Sequence, residues 1–305
     1  MRLLNIAGLL VIIFVTLLAG RTVQPPPQAQ GRADQAAKKS TGQLMKEGKV
    51  EHKQGSATVT ANTARPLAQA IAALREEYGW VVDYEDPPYT NEPDLADATD
   101  PQWRATHPNA RAAHRIAGGF FQSQYNEDAA IETPAGEEAV LRKIVSEYNS
   151  SGNPGKFSVR MEGPGRFAIV GSSVKDAAAR DRNTPAVLDT RISLPNQSRN
   201  ALDTLNAILA QLSSQSGKAV VPGMIPAALL GQSNVTIGGE NRPARDLLIQ
   251  TFDGTGRSLH WRLLFDPINE NTFVLNVAVA ERAIVDTYGR KRFRPIDEPT
   301  ARRPN

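Results

Sequence analysis

The chain has 305 residues, 40% hydrophobic and 22% charged, a globular composition with length enough for two domains of ordinary size. It contains no cysteine, which removes disulfides, thiolate nucleophiles and cysteine metal ligands together, so packing alone must hold the fold. The net charge is +3, but residues 282–305 carry seven Lys or Arg against three carboxylates, so the basicity belongs to the ends and the body between is slightly acidic.

The N-terminus reads as an export signal. Arg2 precedes residues 3–19, an apolar run broken only by Asn5 and Thr16, and Ala29-Gln30-Gly31 offers small residues where a signal peptidase cuts, with Ala19-Gly20 a weaker option. The alternative is an uncleaved anchor, the run being slightly shorter than the roughly 20 residues that span a bilayer. Either way the remainder is expected outside the cytoplasm: exported, periplasmic, or held at the inner membrane through residues 1–31. Residues 32–55, polar and without apolar periodicity, read as a flexible lead.

A first module is expected over residues 56–171. ATVTA, just after Ser56, is β-prone, Pro66 suits a first helical turn, and Leu67, Ala70, Ile71, Leu74 and Tyr78 share one helical face up to Gly79. Trp80, Val82 and Tyr84 alternate as a strand. Residues 85–130 then interrupt the pattern as a long insertion rich in proline, acid and aromatics, in which GGFFQSQYN restores a strand. Thr133-Pro134 caps a helix with Val140, Leu141, Ile144, Val145 and Tyr148 on one face. A hairpin follows, with Phe157, Val159 and Met161 facing one way and Phe167 and Ile169 answering across Gly163-Pro164-Gly165.

Residues 172–185 read as a polar linker, and over 186–281 the sequence of elements starts again. A strand precedes a helix bearing Leu202, Leu205, Ile208, Leu209 and Leu212, Gly217 stops it before Val220, and PGMIPAALLGQS is a loop. NVTIGG leads into a helix with Leu247, Leu248, Thr251 and Phe252, and a hairpin pairs Leu259, Trp261 and Leu263 with Phe273, Leu275 and Val277. Helix, glycine and paired strands thus occur twice, at 137–170 and 243–277. The fold class is α+β: two small modules, each a short mixed sheet covered by two helices and closed by a β-hairpin. Residues 282–305 read as a basic, disordered tail.

ALDTLNAILAQLSSQSGKAVV and SNVTIGGENRPARDLLIQTFDGTGRSLHWRLLFDPINENTFVL resemble the secretin and TonB short N-terminal domain, found ahead of secretin pores and TonB-dependent outer-membrane transporters. The first module looks like a diverged, interrupted copy. The resemblance implies a separate envelope or adaptor protein, because no secretin or transporter barrel follows the modules here, and its expected partner is a secretin, a TonB-dependent transporter or a regulator.

No residue is assigned a catalytic, cofactor-binding or metal-ligating role outright, and no cofactor is expected. The alternative is an envelope enzyme or metal-dependent factor centred on Asp83, Glu85 and Asp86 with His107 and His114; paired carboxylates with histidine suit a divalent metal or acid/base chemistry, whereas a solvated acidic turn at Asp86-Pro87 gives the same sequence. A second alternative is a cell-wall or polysaccharide-binding protein using the aromatics Trp80, Tyr84, Tyr89, Trp103, Phe120, Phe121 and Tyr125, or the basic YGRKRFRP, which suits phosphate-bearing polymers. For an exported chain nucleic acid is not an expected partner. His260, alternating with core-facing strand residues, is expected to face water or the neighbouring helix layer.

Overall fold

The computed structural model describes residues 48–127, 131, 133–269 and 271–297. The export-signal segment and the lead as far as residue 47 lie outside the described residues, as do residues 298–305. Among the described residues no helix is long and apolar enough to cross a membrane.

The fold is α+β, and its two halves repeat one pairing scheme. In the first half β1 (Lys49–Lys53), β2 (Ser56–Asn62) and, farther along, β6 (Phe120–Asn126) make a small antiparallel sheet. Helix α1 (Pro66–Tyr78) starts with proline at its first turn and ends on left-handed Gly79 at φ 75°; it buries Leu67, Ala70, Ile71 and Leu74. Strand β3 (Val81–Glu85) follows. The insertion contains β4 (Leu95–Asp97), α2 (Pro101–Thr106) and β5 (His114–Ile116), with β4 and β5 paired as a separate ribbon. Helix α3 (Pro134–Ser150) is capped by the Thr133 hydroxyl, which accepts from the Gly136 amide, and it leads to β7 (Lys156–Gly163) and β8 (Arg166–Lys175). Strand β3 runs parallel to β8, and β8 antiparallel to β7.

After β9 (Asp181–Asn183), which pairs with the end of β8, the second half repeats this order. Strand β10 (Arg191–Asn200) pairs antiparallel with β12 (Asn234–Pro243), as β2 does with β6. Helix α4 (Ala201–Ser216), capped by Asn200 and closed by left-handed Gly217, precedes β11 (Ala219–Pro222), and the short α5 (Ala227–Gln232) precedes β12. Helix α6 (Ala244–Asp253) then leads to β13 (Leu259–Phe265) and β14 (Thr272–Val279), with β11 parallel to β14 and β14 antiparallel to β13.

The halves do not keep separate sheets. Strand β13 pairs parallel with β3, joining the two triplets into one sheet of order β11-β14-β13-β3-β8-β7. The described residues accordingly belong to one compact unit, and one continuous hydrophobic core draws on both halves. The junction joins the last-but-one strand of the second half to the first sheet strand of the first half, a head-to-tail relation in which the outermost strands, β11 and β7, are unlike.

Some local expectations are corrected. Residues 49–53, read as part of the flexible lead at 32–55, form β1, and His52 ties that strand to Glu127 at 2.8 Å and to Glu77 at 3.3 Å. The linker at 172–185 is partly strand, since β8 runs to Lys175 and β9 pairs with it. The loop PGMIPAALLGQS contains α5. The tail expected to be disordered forms a hairpin, β15 (Glu281–Val285) with β16 (Lys291–Pro295). Met161, expected to face the same way as Phe157 and Val159, is 59% exposed although both of those are buried.

The chain leaving β3 crosses closely over β8: a Cβ added to Gly171 would collide with the backbone nitrogen and the ring of Pro87. Gly171→Ala is therefore expected to cost about 1–3 kcal/mol in urea unfolding, the range of an overpacked core position.

Candidate functional site

Asp83, Glu85 and Asp86 are brought together on β3 and the residue after it, and all three are buried. Each meets the second half through a backbone amide. The Trp261 amide donates to Asp83 Oδ1 at 2.8 Å, the Phe265 amide to Asp86 Oδ2 at 3.0 Å, and the Leu188 amide to Glu85 Oε1 at 3.0 Å. Between them the Asp86 amide donates to the Leu263 carbonyl at 2.9 Å. The backbone pairing of β3 with β13 covers only Tyr84 with Arg262 and Glu85 with Leu263. Carboxylates thus extend at both ends a ladder that the main chain makes only in the middle.

Every one of these carboxylates also faces an arginine. Arg166 Nε lies 3.1 Å from Asp83, and its guanidinium stacks 4.8 Å over the Trp261 ring. Arg65 Nε lies 2.6 Å from Asp86 and also donates to the Phe265 carbonyl. Arg245, on α6, binds Glu85 and reaches Glu162 and Asp189 at 3.1 Å each. Burial opposes the charge on Arg245, yet Glu85 and then Glu162 and Asp189 more than offset it and hold the guanidinium above its ordinary pKa. Burial also pushes the Asp83 carboxyl up to about 6, against the pull of Arg166, the Trp261 amide and Arg75. His260 points to the helix layer, its Nδ1 2.7 Å from Arg75 Nη1; burial and then Arg75 hold it well below its ordinary pKa, so it is a neutral acceptor.

The insertion histidines do not join this cluster. His114 belongs to the ribbon, opposite Asp97, and His107 is exposed, stacked on Trp103 at 3.7 Å between ring centroids. Among the described residues no group of three or more His, Asp or Glu side chains is placed to hold a metal ion. The aromatics divide likewise: Trp80, Tyr84, Tyr89, Phe121 and Tyr125 are buried, while Trp103 is 50% and Phe120 60% exposed. DYEDP is therefore not a solvated turn: its carboxylates are engaged by backbone amides and arginines in the seam between the halves. Sequence reasoning missed its arginines, Arg65, Arg166 and Arg245; the signal available was three cations at otherwise apolar-rich element ends, which periodicity does not weigh.

Two clefts flank the seam. One, of about 340 Å³, lies between the β7–β8 turn and the end of α6 and is lined by Glu162, Arg166, Asp253, Arg257 and Asp297. Glu162 is pushed up to about 7, chiefly by burial, and its Oε2 has no hydrogen-bond partner. The other, of about 350 Å³, is lined by Tyr78, Trp80, Pro134, Glu137 and Arg282. Glu137 is buried in the first turn of α3 with Oε1 unpartnered, and burial raises it to about 8 although a helix N-terminus favours a carboxylate.

Compared with protein-family models, with curated proteins and with solved structures, the chain matches none.

Breaking one side of the seam strands its partner. Glu85→Gln is expected to lower the unfolding free energy by about 3 kcal/mol, and Glu85→Met with Arg245→Met to recover most of that, because an apolar pair replaces a desolvated ion pair. Glu137 supplies a pH signature. Its folded pKa is raised, so the native state holds the proton more tightly than the unfolded chain, and stability falls as pH rises from the ordinary carboxylate range through about 8. Glu137→Gln is expected to remove that loss, making the variant more stable than the parent by about 2–4 kcal/mol in unfolding measured at pH 9, and nearly equal to it at pH 4.

Proposed function

We propose that the chain is a non-enzymatic protein-binding or adaptor protein of the cell envelope, exported and periplasmic or held at the inner membrane by its N-terminal segment, with two halves built as modules like the secretin and TonB short N-terminal domain. The observation that carries the reading is the outer edge of β7. Supporting it is the way the most concentrated set of titratable side chains is used up in the seam between the halves. A binding surface then has to come from shape and backbone.

Among the described strands the two outer edges of the central sheet are treated differently. At β11 the outward amide of Val220 donates to Ser213 Oγ at 2.9 Å, and Pro222 has no amide to offer, so that edge is closed. At β7, Asn149 closes only one position, accepting from the Phe157 amide and donating to the Phe157 carbonyl, both at 2.9 Å. Strand alternation turns the amides of Val159 and Met161 the same outward way as that of Phe157. Two consecutive outward positions beside an exposed methionine suit an added strand from a partner. The partner class is another envelope protein: a secretin, a TonB-dependent transporter or a regulator.

Proline at residue 161 removes one outward amide without touching the pairing to β8. Met161→Pro is expected to leave the circular dichroism spectrum and the melting temperature close to those of the parent while abolishing the partner recovered by crosslinking in intact envelopes. Recovery of the same partner in the same yield by a folded Met161→Pro protein would rule out the β7 edge, and recovery of uncrosslinked monomer alone from the parent would rule out the adaptor reading.

A further inference from the structure

The hairpin of β15 and β16 stands on a fixed base and carries an unusual surface. At the base the Ile296 amide donates to the Ala280 carbonyl at 3.1 Å, and Asp297 accepts from the Ser258 amide and hydroxyl at 2.6 and 2.5 Å. At the tip Asp286 organises the turn by accepting from the amides of Tyr288 and Arg290, each at 2.9 Å. The hairpin is thus built, and its exposed side chains are held in place by register rather than by burial.

Two classes of side chain share it. Val285 is 72% and Tyr288 80% exposed at the tip, and Phe293 is 49% exposed midway along the ladder, opposite Ala283. Around them stand five cations, Arg282, Arg290, Lys291, Arg292 and Arg294, against only Glu281 and Asp286. Asp286 accepts from Arg290 and Arg292, and Lys291 lies 3.6 Å from Glu76. Arg282 and Arg294 are directly opposite each other across the ladder, on the face away from Val285 and Phe293; the Arg282 stem packs on Gly79 and lines the cleft beside Glu137, and neither arginine has an ion pair among the described residues. Like charges at facing positions destabilise a two-stranded ribbon. Such an arrangement calls for an anion from outside.

A soluble polyanion would satisfy the arginines and leave the apolar tip in water. An anionic bilayer satisfies both. Aromatic rings with a polar end settle at the headgroup level, apolar side chains enter the acyl boundary, and arginines near the surface meet lipid phosphates. We infer that the β15–β16 hairpin is a membrane-surface contact that inserts Val285 and Tyr288 into the interface of an anionic bilayer, with Arg282 and Arg294 on the headgroups. This contact is separate from the β7 edge and does not depend on the adaptor reading.

The absence of cysteine makes the test direct. Thr287→Cys places a single environment-sensitive dye at the tip of the full-length chain, and Gln211→Cys places one on the exposed side of α4. With phosphatidylcholine vesicles carrying a third phosphatidylglycerol, the dye at 287 is expected to shift to the blue and the dye at 211 to stay unchanged. The shift is absent with pure phosphatidylcholine and reversed by about 0.5 M salt, where screening is strong. Arg282→Gln with Arg294→Gln is expected to weaken partitioning by roughly twentyfold or more, at about fivefold per arginine, and Val285→Ser to weaken it further. An unshifted dye at 287 on the anionic vesicles, an equal shift on neutral ones, or the same shift produced by soluble polyphosphate would overturn the assignment, the last in favour of a polymer ligand.

Discussion

The structure depends on a parallel pairing between β3 and β13 that the backbone alone makes too short. Two residue pairs of ladder could not hold two three-stranded sheets together in one register. Asp83 and Asp86 lengthen it by accepting the next outward amides of β13, those of Trp261 and Phe265, so that side-chain oxygens stand where carbonyls would otherwise be. The cost is a row of carboxylates taken out of water, and it is offset only because Arg65, Arg166 and Arg245 approach them. Buried ion pairs add little net stability over apolar packing of the same volume. Their contribution here is to register: a slip of β3 against β13 would part Asp83 and Asp86 from the Trp261 and Phe265 amides, and Glu85 from Arg245, at once.

The same seam explains which parts of the fold were legible in the sequence. Helices α1, α3, α4 and α6 were readable because their apolar positions repeat with the helical period and their ends carry proline, threonine, asparagine or glycine suited to caps. The two hairpins were readable from alternation around a turn. On β3, alternation misled, because it assumes that one face of a strand meets water. Trp80, Val82 and Tyr84 are buried, but so are Asp83 and Glu85, and the acidic members face the other half of the chain rather than solvent. Nothing local encodes that contact, since its partners lie far along the chain in the other half. Charge concealed the last hairpin for a related reason: its strands pair with each other and need little burial, so a run of arginines resembled a solvated terminus.

Because the halves are related head to tail, the free ends of the sheet cannot be equivalent, and a contact of the same kind at each end would propagate without closing. The chain answers with unequal edges. Strand β11 is short, ends in Pro222, and has its one outward amide held by Ser213, while β7 is blocked only at Phe157. Closing one end removes the complementary surface that a second copy would need to continue the sheet, while at the other end Val159 and Met161 keep outward-facing amides. The device is economical in sequence terms. A serine on α4, an asparagine on α3 and a proline at a strand end set how much outward backbone each edge presents.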